Sequence, residues 1–348
     1  MAGKADEYGA LRAEISAGDI GTCYILYGEE RYLLEHIVAE IRAKLVPGGD
    51  GDFNHHRYGG AGNGTTPDLE TLTEAVSTFP FFAERTLIEI SDFDFSTGLN
   101  SVMPILQDLP EHVCLLFING AEIKLDKRLS TTKELLKTAR LVQFKLQDRA
   151  RLVPWISRHF AGLGCKISAA DAEYLAFITG GLMSPLRLEI EKLCAHHGSA
   201  NTPVTRAEID TLVAAIPDAV TYKLTDAVAE RDFRTAARVL EDLASMREPP
   251  HKLIYALTSK IRSLLLARYY LDSGKGTAEL MKATGIRYEF QAKNLMSAAR
   301  RTTAEHCHSS MLLCTETAFA LNDGGGMESV VELLARLAAN AHSPETPA

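Results

Sequence analysis

The chain has 348 residues, a formal net charge of −8 at pH 7, 46% hydrophobic residues and 24% charged residues. This length accommodates two or three domains, and the composition is typical of globular proteins, which excludes wholesale disorder. The acidic balance argues against a general polycationic nucleic-acid binder but leaves room for a local basic patch. Scattered cysteines without a Cys-x-x-Cys pair, and no apolar run long enough to span a bilayer, predict a soluble cytoplasmic protein with no membrane partner.

The first part of the chain alternates between short apolar runs and helical segments. We expect strands at 22–27, 85–90, 112–118 and 139–144, and an amphipathic helix at 31–45 whose apolar residues recur every three or four positions. Strands separated by helices predict a parallel sheet covered on both faces, within a domain of residues 1–147. The first twenty residues read as a frayed terminus.

After residue 145 the strand signal disappears and helical periodicity takes over. Glycine breaks and Pro217 divide this part into a small helical domain of residues 148–216 and a larger one of residues 217–340, followed by a disordered tail of residues 341–348. The predicted helices are 149–162, 168–179, 184–197, 205–215, 218–230, 232–247, 250–273, 276–284, 288–301, 304–321 and 327–340. The predicted fold class is therefore α/β plus all-α.

A parallel-sheet domain followed by a small helical domain suggests an ATPase of the AAA+ type, but its chemistry is missing. A phosphate loop needs Gly-x4-Gly-Lys-Ser/Thr, because backbone amides and the lysine cradle the phosphates. The sequence after the first strand, Gly28-Glu-Glu-Arg-Tyr-Leu-Leu34, has neither the second glycine nor the lysine. The strand at 85–90 leads into Ser91-Asp92-Phe93 rather than an Asp-Glu pair. We expect an ATPase fold without catalytic residues and without a bound cofactor.

The densest group of metal-ligating residue types is His306, Cys307, His308 and Cys314. Helical spacing places Cys307 and Cys314 on one face, whereas the two histidines point elsewhere, and a tetrahedral site needs converging ligands. We therefore expect no metal site.

Several short segments, taken in order, resemble the clamp-loader delta subunit family of bacterial DNA polymerase III. The opening Tyr24-Ile-Leu-Tyr-Gly28 with Glu29 and Glu30 resembles the family's Tyr-Leu-Leu-Tyr-Gly-Glu-Asp. The segment Ser77-Thr-Phe-Pro-Phe-Phe-Ala-Glu-Arg85 is similar to its Leu-Pro-Phe-Phe-Ala-Glu-Arg. Further similarities lie at 124–128, 186–193, 222–230, 248–250 and 262–268, whereas the family's Lys-Thr/Ser-Gly near the end is replaced by Asp323-Gly-Gly-Gly326.

The resemblance implies an AAA+-like sheet domain with a degenerate nucleotide site, a helical lid and a C-terminal helical collar for oligomerisation. It also implies a non-catalytic subunit of the polymerase assembly that binds and opens the beta sliding clamp for loading onto primed DNA, beside gamma/tau and delta-prime subunits. The hydrophobic wedge that grips the clamp maps onto Phe79, Phe81 and Phe82, with Pro80 setting the backbone angle. Without the resemblance, three nearby phenylalanines would more often be core residues.

Lys124, Lys127 and Arg128 form a basic turn after the third predicted strand. Such a turn is either simply solvated or contacts DNA phosphate or a neighbouring subunit. Two other functions stay open at this point. One is an active AAA+ ATPase, which the missing lysine opposes, and the other is a helical nucleic-acid-binding regulator, which the acidic balance opposes.

The missing phosphate-loop residues lead to a direct prediction. Because Gly28–Leu34 offers carboxylates where a lysine would meet the phosphates, the purified protein should bind no ATP at physiological concentration. Isothermal titration calorimetry checks this, and micromolar ATP binding would contradict the degenerate site.

Overall fold

A computed structural model of the chain describes residues 7–59, 68–120, 123, 125, 128–198 and 202–342. The chain divides into two compact units, Met1–Gln147 and Asp148–Ala348. Among the described residues, no helix combines the length and the apolar character that crossing a membrane requires. The predicted tail lies mostly outside these residues, since the structure describes only its first two positions, within the last helix.

The first unit is built on a five-stranded parallel sheet. Its strands are β1 (Cys23–Tyr27), β2 (His55–Tyr58), β3 (Thr86–Ser91), β4 (Val113–Asn119) and β5 (Arg140–Gln143). They lie in the order β2-β3-β4-β1-β5. The strands β1 and β4 consist almost entirely of buried apolar residues, and β3 is buried except for its last residue, as expected for a parallel sheet that is covered on both faces.

Helices connect the parallel strands, because a parallel pair cannot be joined by a tight turn. They are α2 (Arg31–Leu45), α3 (Leu69–Ser77), α4 (Phe95–Gln107) and α5 (Ser130–Thr138), and a further helix, α1 (Glu7–Ala17), precedes β1. The helices α3, α4 and α5 bury Leu72, Leu99 and Leu135 in one cluster with alternate residues of β1, β3 and β4. The residue between Ile88 and Ile90 points to the opposite face, which α2 covers.

That residue is Glu89, a carboxylate that is only 3% exposed. Its Oε1 accepts a hydrogen bond from Arg42 Nε at 2.6 Å, a second bond joins Arg42 Nη2 to its Oε2, and His55 Nε2 lies 2.9 Å from Oε1. A buried charge is tolerated when such partners compensate its lost hydration. The network ties α2, β2 and β3 together.

In the second unit, the described residues form helices and two short strands. Its parallel strands β6 (Lys166–Ile167) and β7 (Pro203–Val204) form a two-stranded sheet. Its helices are α6 (Arg149–Gly162), α7 (Ala169–Ile178), α8 (Met183–His197), α9 (Arg206–Leu212), α10 (Pro217–Ala229), α11 (Phe233–Ser245), α12 (Pro250–Asp272), α13 (Thr277–Thr284), α14 (Glu289–Ala299), α15 (Ala304–Asn322) and α16 (Met327–His342).

The helices α10 to α16 share one apolar core, which includes Leu224, Leu257 and Leu333. The ring of Phe177 in α7 packs edge-on against Tyr222 in α10 and Phe290 in α14, with centroids 5.1 and 5.4 Å apart. Aromatic contacts of this kind therefore join the predicted lid segment to the predicted collar within the second unit. The division at residues 216 and 217 stays a prediction.

The fold class predicted from the sequence is confirmed, and three details are wrong. The first twenty residues contain α1, which buries Leu11 and Ile15 and was hidden because only these two large apolar residues mark its inner face. The edge strand β2 was missed because its sequence, His-His-Arg-Tyr, shows no apolar alternation. The strands β6 and β7 were missed because two residues are too few to carry a period.

The Glu89 network predicts a large stability effect from a small change. Replacing Glu89 with Gln should lower the free energy of unfolding by roughly 1.5–3 kcal/mol, because hydrogen bonds to a buried charge are lost. Glu35→Gln is the matched control, since the Arg31–Glu35 pair is 46% and 63% exposed and should contribute less than about 0.5 kcal/mol. Urea unfolding of both variants tests this, and equal effects would contradict a special role for Glu89.

The pair formed by His197 and Glu208 should make the stability of the second unit depend on pH. His197 Nδ1 lies 2.7 Å from Glu208 Oε1 and its Nε2 lies 2.8 Å from the Thr202 carbonyl oxygen. The pKa of His197 is raised above 6.5, mainly by the hydrogen bond to Glu208 and to a smaller extent by the bond to the Thr202 carbonyl oxygen. Bonds from His197 and Thr205 lower the pKa of Glu208 from 4.5 to about 2.

The stabilisation from His197 is complete below pH 6.5 and is lost as the pH rises through its folded pKa. The stabilisation from Glu208 is present above pH 4.5 and is lost as the pH falls toward about 2. His197→Gln should therefore lower the melting temperature most between about pH 5 and 6, and less above about pH 8. Thermal unfolding across this range checks the sign, and a cost that grows with alkaline pH would contradict it.

Candidate functional site

The segment between α3 and β3 carries three exposed phenylalanines. The helix ends at Ser77, and Phe79, Phe81 and Phe82 follow in a loop without regular secondary structure. Their exposed fractions are 81%, 61% and 95%. The alternative interpretation of these residues as core residues therefore does not describe the fold.

A fourth exposed ring joins them from a different part of the chain. Phe53, which is 82% exposed, packs edge-on against Phe81 with centroids 6.1 Å apart, and Phe81 packs against Phe82 at 4.4 Å. Phe79 stacks on the His112 ring at 4.9 Å. We call Phe53, Phe79, Phe81 and Phe82 the aromatic surface. Exposed apolar patches of this kind mark interaction sites.

Hydrogen bonds between side chains and backbone atoms hold the loop that carries this surface. Asn54 Oδ1 accepts a hydrogen bond from the Phe81 amide at 2.6 Å, and Asn54 Nδ2 donates to the Phe81 carbonyl at 2.9 Å. At the end of the loop, Arg85 Nη2 donates to the carbonyl oxygens of Gly21 and Val113, both at 2.9 Å. Phe82 has a left-handed backbone, with φ of 51°.

Phe53 and Asn54 were not identified from the sequence. Asn54 and Phe81 are 27 positions apart, and no local pattern links them. The one available signal is that Phe53 follows a turn containing Gly48 and Gly51 and precedes polar residues, which is an unusual setting for a core phenylalanine.

The topology places the aromatic surface at the amino-terminal edge of the sheet. Phe53 precedes β2, the loop of Phe79 to Phe82 precedes β3, and His112 precedes β4. Because the strands are parallel, their starts meet at one edge. Ligands of open parallel sheets bind at the other edge, outside the carboxyl ends of the strands.

At that carboxyl edge, the turn after β1 is packed against protein where a phosphate loop would hold phosphate. Gly28 has φ of 140°, and a Cβ there would lie 2.1 Å from the Phe144 carbonyl oxygen. The Glu30 amide donates to the same oxygen at 3.1 Å. The buried Glu30 carboxylate caps α2 by accepting from the Tyr32 amide at 3.3 Å. The turn presents a carboxylate to the helix start, which repels polyphosphate.

Cys23 and Cys114 are both buried, in neighbouring strands of the sheet. Burial raises the pKa of the Cys23 and Cys114 thiols to about 12, so they are poor nucleophiles at neutral pH. Within the same part of the chain, no group of three or more His, Cys, Asp or Glu side chains is arranged to hold a metal ion.

The predicted basic turn is only partly described. Lys124 and Lys127 lie outside the described residues, whereas Arg128 is exposed in the segment between β4 and α5. A contact of this turn with DNA or another subunit stays a prediction.

The chain is similar to known proteins along most of its length. The model of the "DNA polymerase III, delta subunit" family matches residues 24–145, and that of the "DNA polymerase III delta subunit, C-terminal domain" matches residues 218–335. The DNA polymerase III subunit delta of Bacillus subtilis (strain 168) is 25% identical over 306 residues, covering 84% of this chain and 85% of that protein. The probable DNA polymerase III subunit delta of Aquifex aeolicus (strain VF5) is 20% identical over 295 residues, covering 81% of each.

Among solved structures, the Bacillus subtilis DNA clamp loader delta protein aligns with a TM-score of 0.49 and 22% identity, covering 95% of this chain and 99% of that chain. The two family models describe successive parts of one kind of protein and together match well over half of the sequence. The chain therefore belongs to the DNA polymerase III delta subunit family.

Proposed function

We propose that this chain is the delta subunit of a DNA polymerase III clamp loader, which binds the beta sliding clamp and opens it for loading onto primed DNA. Family membership supports the assignment to this assembly. In the proposal, the chain has no catalytic activity of its own and works beside gamma/tau and delta-prime subunits in a ring.

The observation that carries the proposal is the aromatic surface. Four exposed phenylalanines lie at the amino-terminal edge of the sheet, where Phe81 packs against Phe53 and Phe82 and where Phe79 stacks on His112. Fully burying one such ring contributes about 1.5–3 kcal/mol, and aromatic anchors of this kind usually dominate protein interfaces. An apolar pocket on the clamp is the proposed receptor, with Phe81 and Phe82 as its main occupants.

The turn after β1 supports a role through binding rather than through nucleotide hydrolysis. Glu30 and the Phe144 backbone fill the place where a phosphate loop would work. In the proposal, the ATP-driven changes of the ring come from neighbouring subunits, and this chain transmits them to the clamp.

The helices of residues 217–340 are the proposed collar that joins the ring. On α15, Leu312 and Phe319 are 65% and 66% exposed and lie seven residues apart, so they share one face of the helix. We assign this face to contacts with a neighbouring subunit. Lys124, Lys127 and Arg128 are assigned to DNA phosphate or to a subunit contact.

The double variant Phe81→Ala, Phe82→Ala tests the clamp assignment. Clamp affinity should fall at least about 100-fold, because two anchors of about 1.5–3 kcal/mol each are lost. The melting temperature should stay nearly constant, since truncation of exposed side chains changes stability little. Surface plasmon resonance with the purified clamp and thermal unfolding measure the two quantities.

Leu163→Ala, Leu188→Ala is the matched control, since both leucines are exposed, at 46% and 56%, and neither has a proposed role. This control should bind the clamp like the unmodified protein. If the phenylalanine variant binds the clamp with undiminished affinity, the assignment is wrong. If its melting temperature falls strongly, both rings have a structural role.

A further inference from the structure

Asn54 is bonded to Phe81 in a way that fixes a whole peptide segment. Asn54 is 6% exposed, and its side-chain amide accepts a hydrogen bond from the Phe81 amide and donates one to the Phe81 carbonyl. A neighbouring strand would satisfy the same two backbone groups. One side chain therefore replaces a strand pairing for the residue at the centre of the aromatic surface.

Asn54 is itself held by the sheet. Its backbone amide and its Nδ2 both donate to Asp52 Oδ1, at 2.9 and 3.1 Å. Its carbonyl oxygen accepts from the Leu87 amide at 2.8 Å, at the start of the β2–β3 pairing. Asn54 therefore links the Phe81 peptide to the sheet, so the position of this peptide does not depend on the loop alone.

The residue next to Asn54 carries the fourth ring. Phe53 is 82% exposed and meets Phe81 edge-on, so a partner that covers Phe81 also reaches Phe53. The two neighbouring residues therefore contribute in different ways: Phe53 adds a ring to the aromatic surface, and Asn54 holds the Phe81 backbone in place.

We propose that Phe53 is a direct clamp-contact residue and that Asn54 is a positioning residue, which holds the loop in its binding-competent conformation before the clamp arrives. The proposal rests on the proposed function. The loop needs such an anchor because it lacks regular structure and because Phe82 has a backbone conformation that non-glycine residues rarely adopt. A preformed surface binds without the cost of ordering the loop.

The two roles predict different kinetics. If Asn54 only selects the competent conformation, its loss lowers the fraction of ready molecules and so slows association, whereas the complex, once formed, dissociates at its usual rate. If Phe53 contacts the clamp, its loss removes a contact from the complex and so speeds dissociation. A merely structural asparagine would lower the melting temperature and leave both rates unchanged.

The experiment measures association and dissociation rates of the full chain on immobilised clamp, together with melting temperatures. Asn54→Ala should slow association about five- to tenfold with an unchanged dissociation rate. Phe53→Ala should speed dissociation by about tenfold with nearly unchanged association. Asp52→Ala removes the support of Asn54 without touching Phe81, so it should slow association to a smaller extent and serves if Asn54→Ala fails to fold.

The double variant Phe81→Ala, Phe82→Ala separates this inference from the proposed function. If that variant binds the clamp normally, the proposed function itself fails. If it loses binding while Asn54→Ala and Asp52→Ala associate at the wild-type rate, the positioning role is overturned. If it loses binding while Phe53→Ala dissociates at the wild-type rate, the fourth contact is overturned.

Discussion

The first unit is organised around a negative charge inside its sheet. Glu89 stands in β3 with almost no access to water, and burying a lone carboxylate would cost several kcal/mol. Arg42 and His55 remove most of that cost, and in doing so they fix α2 and the edge strand β2 relative to β3. An edge strand with little apolar character would otherwise have few side-chain contacts to hold it.

The consequence reaches the proposed binding surface. His55 follows Asn54 directly, so the network that compensates Glu89 also sets where Phe53 and Asn54 stand. The aromatic rings are exposed and pack against few residues of their own, yet their backbone is tied to a buried ionic network. Rigid support beneath an exposed contact residue is a common requirement for tight recognition.

The sheet separates two kinds of site by its two edges. At the carboxyl edge, the Glu30 amide and Gly28 pack against the Phe144 backbone and close the turn after β1. At the amino-terminal edge, the loops before β2 and β3 carry the aromatic surface. The first unit is thus proposed to serve recognition through the edge opposite to the one at which open parallel sheets usually bind ligands.

Local patterns and long-range contacts differ in what they allow a sequence to predict. Helix α2 has the predicted bounds, residues 31–45, because its apolar spacing and its flanking turn are local signals. The prediction that Phe79, Phe81 and Phe82 form a binding surface depends on the family resemblance, because the sequence around a phenylalanine does not by itself distinguish a core position from an exposed one. Asn54 could not be found this way, because its partner lies 27 positions along the chain.

At Phe82, the residue that would be best for stability differs from the residue that would be best for the proposed binding. A non-glycine residue in this region costs of order 1–3 kcal/mol, a strain that glycine would relieve. The Phe82 ring is 95% exposed, so the free chain recovers little of that cost by packing it. Selection for thermal stability alone would favour glycine at this position and would delete the ring. Under the proposed function, a variant selected in this way would lose one of its two main clamp anchors, and keeping phenylalanine here requires selection for binding as well.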